Sequence, residues 1–124
     1  MKKILIIDDD TNVRDLVGGV LEKEGYKVLL VKESRECFDV IVKNKPDLIL
    51  LDLIMPGLDG FMVLEELKKR QIAVGIPIVV LTALSGDFNA QKVLDLGAEE
   101  FWVKSDYDLG QIVDKIKAKL ADKK

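Results

Sequence analysis

The chain has 124 residues, 48% of them hydrophobic and 33% charged, which gives enough core for one folded domain and excludes a disordered polymer. Its net charge of −3 and pI near 5.0 argue against general attraction to nucleic-acid phosphates. The absence of histidine and the single cysteine exclude Ser-His-Asp catalysis, His-ligated zinc and an internal disulfide. Chemistry here must run on carboxylates, lysine and hydroxyls.

In chain order, short apolar runs alternate with longer amphipathic segments. The runs cover residues 4–7, 28–31, 48–51, 78–81 and 101–103, each continuous and rich in Ile, Val or Leu, as strands covered on both faces should be. After the first run, Val13, Leu16, Val17, Val20 and Leu21 follow the i, i+3, i+4 spacing of a helix that Gly25 ends. Cys37, Phe38, Ile41 and Val42 make a second apolar stripe, with Cys37 read as a small core residue; Phe61, Leu64 and Leu67 make a third. Residues 87–96 form a weaker fourth, closed by Gly97, and Leu109, Ile112, Val113, Ile116 and Leu120 form the last. Pro46 and Pro77 stand just before strands, where a missing N–H costs little. Lys115, Lys117, Lys119, Lys123 and Lys124 read as a solvated face at the helix C-terminus, favourable to its dipole. The longest apolar runs, such as residues 76–83, are too short to span a bilayer, and the N-terminus lacks a signal-peptide core. A cytoplasmic protein with no membrane contact is expected.

Five strand–helix units with short turns predict right-handed crossovers and an α/β fold: a flavodoxin-like (βα)5 doubly wound parallel sheet in the order 2-1-3-4-5. The expected organisation is one domain over residues 1–124, with nothing after the fifth helix to act as an output domain. Ligands of such sheets bind beyond the strands' C-terminal ends, where the winding reverses. The first run ends in Asp8, Asp9 and Asp10, the third in Asp52, the fourth in Thr82 and Ala83, and the fifth in Lys104. Two carboxylates about 4 Å apart repel by roughly 4 kcal/mol at an effective dielectric of about 20. Asp8, Asp9 and Asp52 should therefore raise a pKa or recruit a cation. An oxygen-only site with open positions suits Mg²⁺, with Thr82 and Lys104 facing the remaining oxygens of a phosphoryl group. A helix cap uses one carboxylate, not three, and Asp10 is read as that cap.

At these residues the chain resembles the response-regulator receiver family of two-component signalling, in its stand-alone, chemotaxis-regulator-like form. The run ILIIDDD (4–10) looks like the family's acidic pocket, and PDLILLDLIMPGLDG (46–60) is similar to its acceptor loop. IPIVVLTA (76–83) and GAEEFWVK (97–104) complete the likeness. It implies a phosphorylation-dependent switch, a signalling phosphoacceptor and not an enzyme. Asp52 would take a phosphoryl group from a histidine kinase, a phosphotransfer protein or a small donor. Asp9, Asp52 and the Ile54 carbonyl would hold Mg²⁺, with Asp8 acting through bound water. Thr82, Ala83 and Lys104 would contact the phosphoryl group. Phe101 would swing inward with Thr82, altering a protein-binding face made by the fourth helix, fifth strand and fifth helix. Output through protein contact, with no direct nucleic-acid binding, is expected.

Ser105 departs from the family, which usually places a proline after the lysine, often behind a cis bond. Before serine a cis bond costs about 2.5–4 kcal/mol, so a trans or re-routed loop is expected. Ile54 and Leu84 occupy the family positions beside the attacking water, and neither side chain can orient it, so slow self-dephosphorylation is expected. Two rivals remain. One is a pseudo-receiver, an interaction module that is never phosphorylated. The other is a haloacid-dehalogenase-type phosphohydrolase using Asp8, against which Asn12 stands where that family has threonine.

Overall fold

The computed structural model describes residues 1–121, so Lys123 and Lys124 lie outside the described residues. Five strands, β1 (Lys3–Ile7), β2 (Lys27–Val31), β3 (Leu48–Leu51), β4 (Ile78–Thr82) and β5 (Glu100–Val103), pair in parallel in the order β2-β1-β3-β4-β5. The connecting helices are α1 (Gly18–Lys23), α2 (Cys37–Asn44), α3 (Gly60–Arg70), α4 (Asp87–Asp95) and α5 (Leu109–Ala121). This is the doubly wound flavodoxin-like fold expected from the alternation.

Side chains alternate across the sheet and feed two apolar layers. Leu5, Ile7, Ile49, Leu51 and Val80 pack with α2, α3 and α4, while Ile4, Ile6, Leu48, Leu50 and Trp102 pack with α1 and α5. Every residue of β3 is buried, which explains why its sequence shows no polar alternation. Burying each such Leu or Ile contributes about 1.5–3 kcal/mol. The α5 stripe is as expected, with Ile112, Val113, Ile116 and Leu120 buried. Gly25 and Gly97 follow α1 and α4 at φ 96° and 106°, conformations in which a Cβ is strained.

Three expectations need correction. Leu16 is 57% exposed, because the first helix opens with a π-helical turn over Val13–Val17. The wider turn shifts the phase of the side chains, so Val17 and Leu21 face the core without Leu16. Val42 is 55% exposed because Cys37, Phe38 and Ile41 already fill the contact of α2 with the sheet. The C-terminal lysines are not a uniformly solvated face. Lys119 pairs with Glu100 at 2.7 Å, Lys117 reaches Glu24 at 3.3 Å, and Lys115 lies over two aromatic rings. Their alkyl stems follow the surface while the ammonium groups find partners. Cys37 is wholly buried, and burial pushes its thiol up to about 12, as befits an inert core residue.

Candidate functional site

The two buried carboxylates of the site, Asp8 and Asp52, each stand one residue past a strand and are held by one more sheet-like bond. The Asp52 N–H donates to the Ile7 carbonyl at 3.0 Å, and the Asp8 N–H donates to the Val31 carbonyl at 3.1 Å. Backbone, not side-chain preference, therefore sets where these acids emerge. Beyond them the chain turns on its own side chains. Asp8 Oδ1 accepts the Asp10 N–H at 2.9 Å, and Asp10 Oδ1 accepts the Asn12 N–H at 2.9 Å, so Asp10 is a capping residue as expected. Asp52 Oδ1 accepts the Ile54 N–H, and Thr82 Oγ1 accepts the Leu84 N–H, both at 3.3 Å. The loop after Asp52 closes on Gly60, where a Cβ would collide with the Asp52 carbonyl oxygen and the Leu53 Cα. Only glycine fits there, and Asp59 caps α3 by accepting the Met62 N–H at 2.9 Å.

Asp8, Asp9 and Asp52 bring one carboxylate oxygen each within 4.8 Å of one another. Asp8 and Asp52 are buried and Asp9 is exposed, so the cluster has a dry floor and an open rim. The Lys104 ammonium reaches in from β5, 3.1 Å from Asp8, 3.5 Å from Asp52 and 4.0 Å from Asp10. One cation faces three acids, with Asp9 beside them. Burial pushes Asp8 up to about 6, and the Asp52 charge adds to this, while the Asp10 N–H and Lys104 oppose it without prevailing. Burial opposes the charge on Lys104, but Asp8 and Asp52 outweigh it and hold the lysine above its ordinary range. An all-oxygen cluster whose buried acid is short of positive charge suits a hard divalent cation, with Asp8, Asp9 and Asp52 as its donors.

The structure thus brings Asp8, Asp9, Asp52 and Lys104 together. Thr82 is wholly buried at the end of β4, opposite Val103. Phe101 pairs with Val80, is half-buried, and packs in the same apolar layer as Val80. Ala83 is exposed, and Ile54, 50% exposed, stands at the rim. Leu84 leans instead onto the apolar layer beneath α3 and α4. The Lys104–Ser105 peptide is trans, and Lys104–Asp106 forms a short 3₁₀ turn, so the loop keeps its lysine in the pocket without a cis bond. Sequence reasoning missed Ser34, whose buried hydroxyl donates to the Leu58 carbonyl at 2.5 Å and ties the loop after Asp52 to the turn before α2. Its only signal, a serine ahead of a helical pattern, reads as a helix cap.

The chain matches the model of the response regulator receiver domain over residues 4–117. It is 37% identical over 119 residues to the phosphate regulon transcriptional regulatory protein PhoB of Pseudomonas aeruginosa, covering 96% of this chain and 52% of that protein. The chain therefore spans about half the length of this relative. Among solved structures, a two-component response regulator from Clostridium difficile is similar at TM-score 0.88 and 30% identity, over 98% of each chain. The BeF3-activated N-terminal receiver domain of Klebsiella pneumoniae RstA is similar at TM-score 0.85 and 30% identity, over 96% of this chain and 98% of that one.

Proposed function

The chain belongs to the response regulator receiver domain family, a family of signalling domains and not of conventional enzymes, and from that premise we propose that residues 1–124 form one receiver whose phosphoacceptor is Asp52. The observation that carries this reading is the reach of Lys104 to both Asp8 and Asp52 beside three converging carboxylates. In the transfer, an Asp52 oxygen would form a bond to phosphorus as the bond from phosphorus to the donor's leaving atom breaks, an imidazole nitrogen in a phosphohistidine or an oxygen in acetyl phosphate, and the leaving group keeps that electron pair. The step needs no general base, since a carboxylate attacks as it stands. Lys104 and the Thr82 hydroxyl would neutralise and hold the phosphoryl oxygens. Asp8, Asp9, Asp52 and the Ile54 carbonyl would hold Mg²⁺, which when bound supplies charge neutralisation at the acceptor.

Downstream, Thr82 would draw toward the phosphoryl group and free space for Phe101, which lies in the apolar layer on that side of the sheet. The surface of α4, β5 and α5 would change with it and present the altered face to a protein target. A histidine kinase or phosphotransfer protein would supply the phosphoryl group. Ile54 at the rim and Leu84 behind it offer the hydrolytic water no hydrogen bond, so loss of the phosphoryl group should be slow. Replacing Ile54 with Asn or Leu84 with Glu should speed that loss in a timed decay; an unchanged decay in both would remove this part of the reading.

The deciding experiment treats wild type and Asp52→Asn with acetyl phosphate and Mg²⁺ and locates added mass by peptide mapping. Modification on the Asp52 peptide of the wild type alone is expected. Mass on Asp8 would instead favour a phosphohydrolase. Mg²⁺ binding with no added mass would favour an interaction module that is not phosphorylated.

A further inference from the structure

The turn that presents Lys104 is poorly held by its own backbone. Its closing bond, from the Tyr107 N–H to the Lys104 carbonyl, is 3.4 Å long, beyond the ordinary range for such bonds. Ser105 and Asp106 are exposed and add no apolar anchor. Yet Lys104 sits at a defined place between three acids. The acids hold the ammonium and β5 leads into the turn, and the far side of the turn needs a hold from outside it.

The two residues that bracket the turn supply the hold. Trp102 and Tyr107 meet edge to face, with ring centroids 6.5 Å apart and planes at 65°. The Lys115 ammonium of α5 lies 4.9 Å from the centroid of each ring. Trp102 is buried and donates its indole N–H to Glu100 at 2.9 Å; Glu100 in turn pairs with Lys119, one helical turn beyond Lys115. The start of α5 is itself locked. Asp108 Oδ1 accepts the Gln111 N–H at 2.8 Å, and Gln111 Oε1 accepts the Asp108 N–H at 2.9 Å, a reciprocal cap immediately after Tyr107. The strand end and the helix start are thus both fixed, and Lys115 clips together the two rings between which the turn is strung.

We infer that Lys115, acting through the Trp102 and Tyr107 rings, is a positioning residue for Lys104, so that the seating of α5 sets how far the lysine reaches into the acidic pocket. This rests on the reading of Lys104 as a phosphoryl contact, and it assigns to the helix surface a direct hold on the rate of acceptor chemistry. Lys115→Met keeps an unbranched apolar stem and removes the terminal charge; Lys115→Arg keeps a cation that stacks on aromatic faces.

The test measures the phosphorylation rate from acetyl phosphate with Mg²⁺ saturating. Lys115→Met should slow it by roughly tenfold, as expected of a small displacement of a group that must be aligned. Tyr107→Leu should do the same, and Lys115→Arg should restore most of the rate. In a Lys104→Met background, Lys115→Met should have no further effect, because the group it positions is gone. A loss that persists in that background, or no rescue by arginine, overturns the inference. A second readout needs no phosphorylation. In the metal-free protein the ¹³C-labelled ε-methylene of Lys104 should move toward its random-coil position in Lys115→Met, with the core amide spectrum unchanged. A stationary Lys104 resonance also overturns the inference. Should the wild type take no phosphoryl group, the proposed function fails while this resonance still decides the role of Lys115.

Discussion

The two ends of the sheet are built on opposite terms. At the end where the strands finish, Asp8 and Asp52 are buried against one lysine, and burial holds Asp8 at about 6. At the end where the strands begin, charges are matched and near the surface. Asp47 accepts the Lys3 N–H at 2.8 Å and returns its own N–H to the Lys3 carbonyl at 2.8 Å, while Lys3 Nζ donates to the Asn44 carbonyl at 3.0 Å. One end stabilises the fold. The other spends stability on an excess of negative charge gathered around one lysine.

Removing a carboxylate should therefore have opposite signs at the two ends, and backbone changes sharpen the comparison. The largest effect is expected from Gly60→Ala, whose Cβ would displace the Asp52–Leu53 backbone; a loss of about 3 kcal/mol or more in urea unfolding is expected, with Mg²⁺ affinity falling too. An unchanged midpoint would show that the loop after Asp52 yields freely and would break the contrast.

Next is Asp8. Its folded pKa of about 6 lies above the ordinary 3.8, so the native state binds the proton more tightly than the unfolded chain. In EDTA, this group's contribution to stability should then be fully present below about pH 3.8 and lost as pH rises through about 6. The span corresponds to roughly 3 kcal/mol at most. Asp8→Asn should flatten that slope and stabilise the metal-free protein at pH 7 by about 1–3 kcal/mol, while weakening Mg²⁺ binding. Thermal unfolding across pH with and without Mg²⁺ measures both; a destabilised Asp8→Asn protein at pH 7 would contradict the account.

At the opposite end, Asp47→Ala should cost about 1–2 kcal/mol, since it removes the acceptor of a partly buried N–H. The smallest effect concerns Lys45 and Gln71, which close α2 and α3 with φ of 47° and 55°. Glycine takes that conformation without a Cβ penalty, so Lys45→Gly should stabilise by about 0.5–1 kcal/mol in the same assay. A loss instead would mean that the added freedom of the unfolded chain outweighs the relieved backbone.

The central strands were legible because parallel strands buried on both faces leave continuous apolar runs, and residues 48–51 show this most clearly, whereas the edge run 28–31 is apolar although Leu30 is 44% exposed. The convergence of Asp8 and Asp52 was legible at one remove, since the 2-1-3-4-5 order makes β1 and β3 neighbours. The exposed Leu16 was not, because apolar periodicity assumes 3.6 residues per turn and Val13–Val17 does not obey it. The hold of Ser34 on Leu58 and of Lys115 on Trp102 and Tyr107 was also hidden, for these contacts cross elements and leave no spacing signature.

By itself the sequence determined the alternation of elements, the residue types at each strand end and the chemistry those types permit. These follow from local burial and from an inventory of ionisable groups. Only the tertiary structure decided that Lys104 lies closer to Asp8 than to Asp52, that Asp8 is the acid burdened by burial, and that α5 grips the turn carrying the lysine. Distances of 3–5 Å between separate elements depend on sheet register, helix seating and burial together, and no linear pattern encodes them.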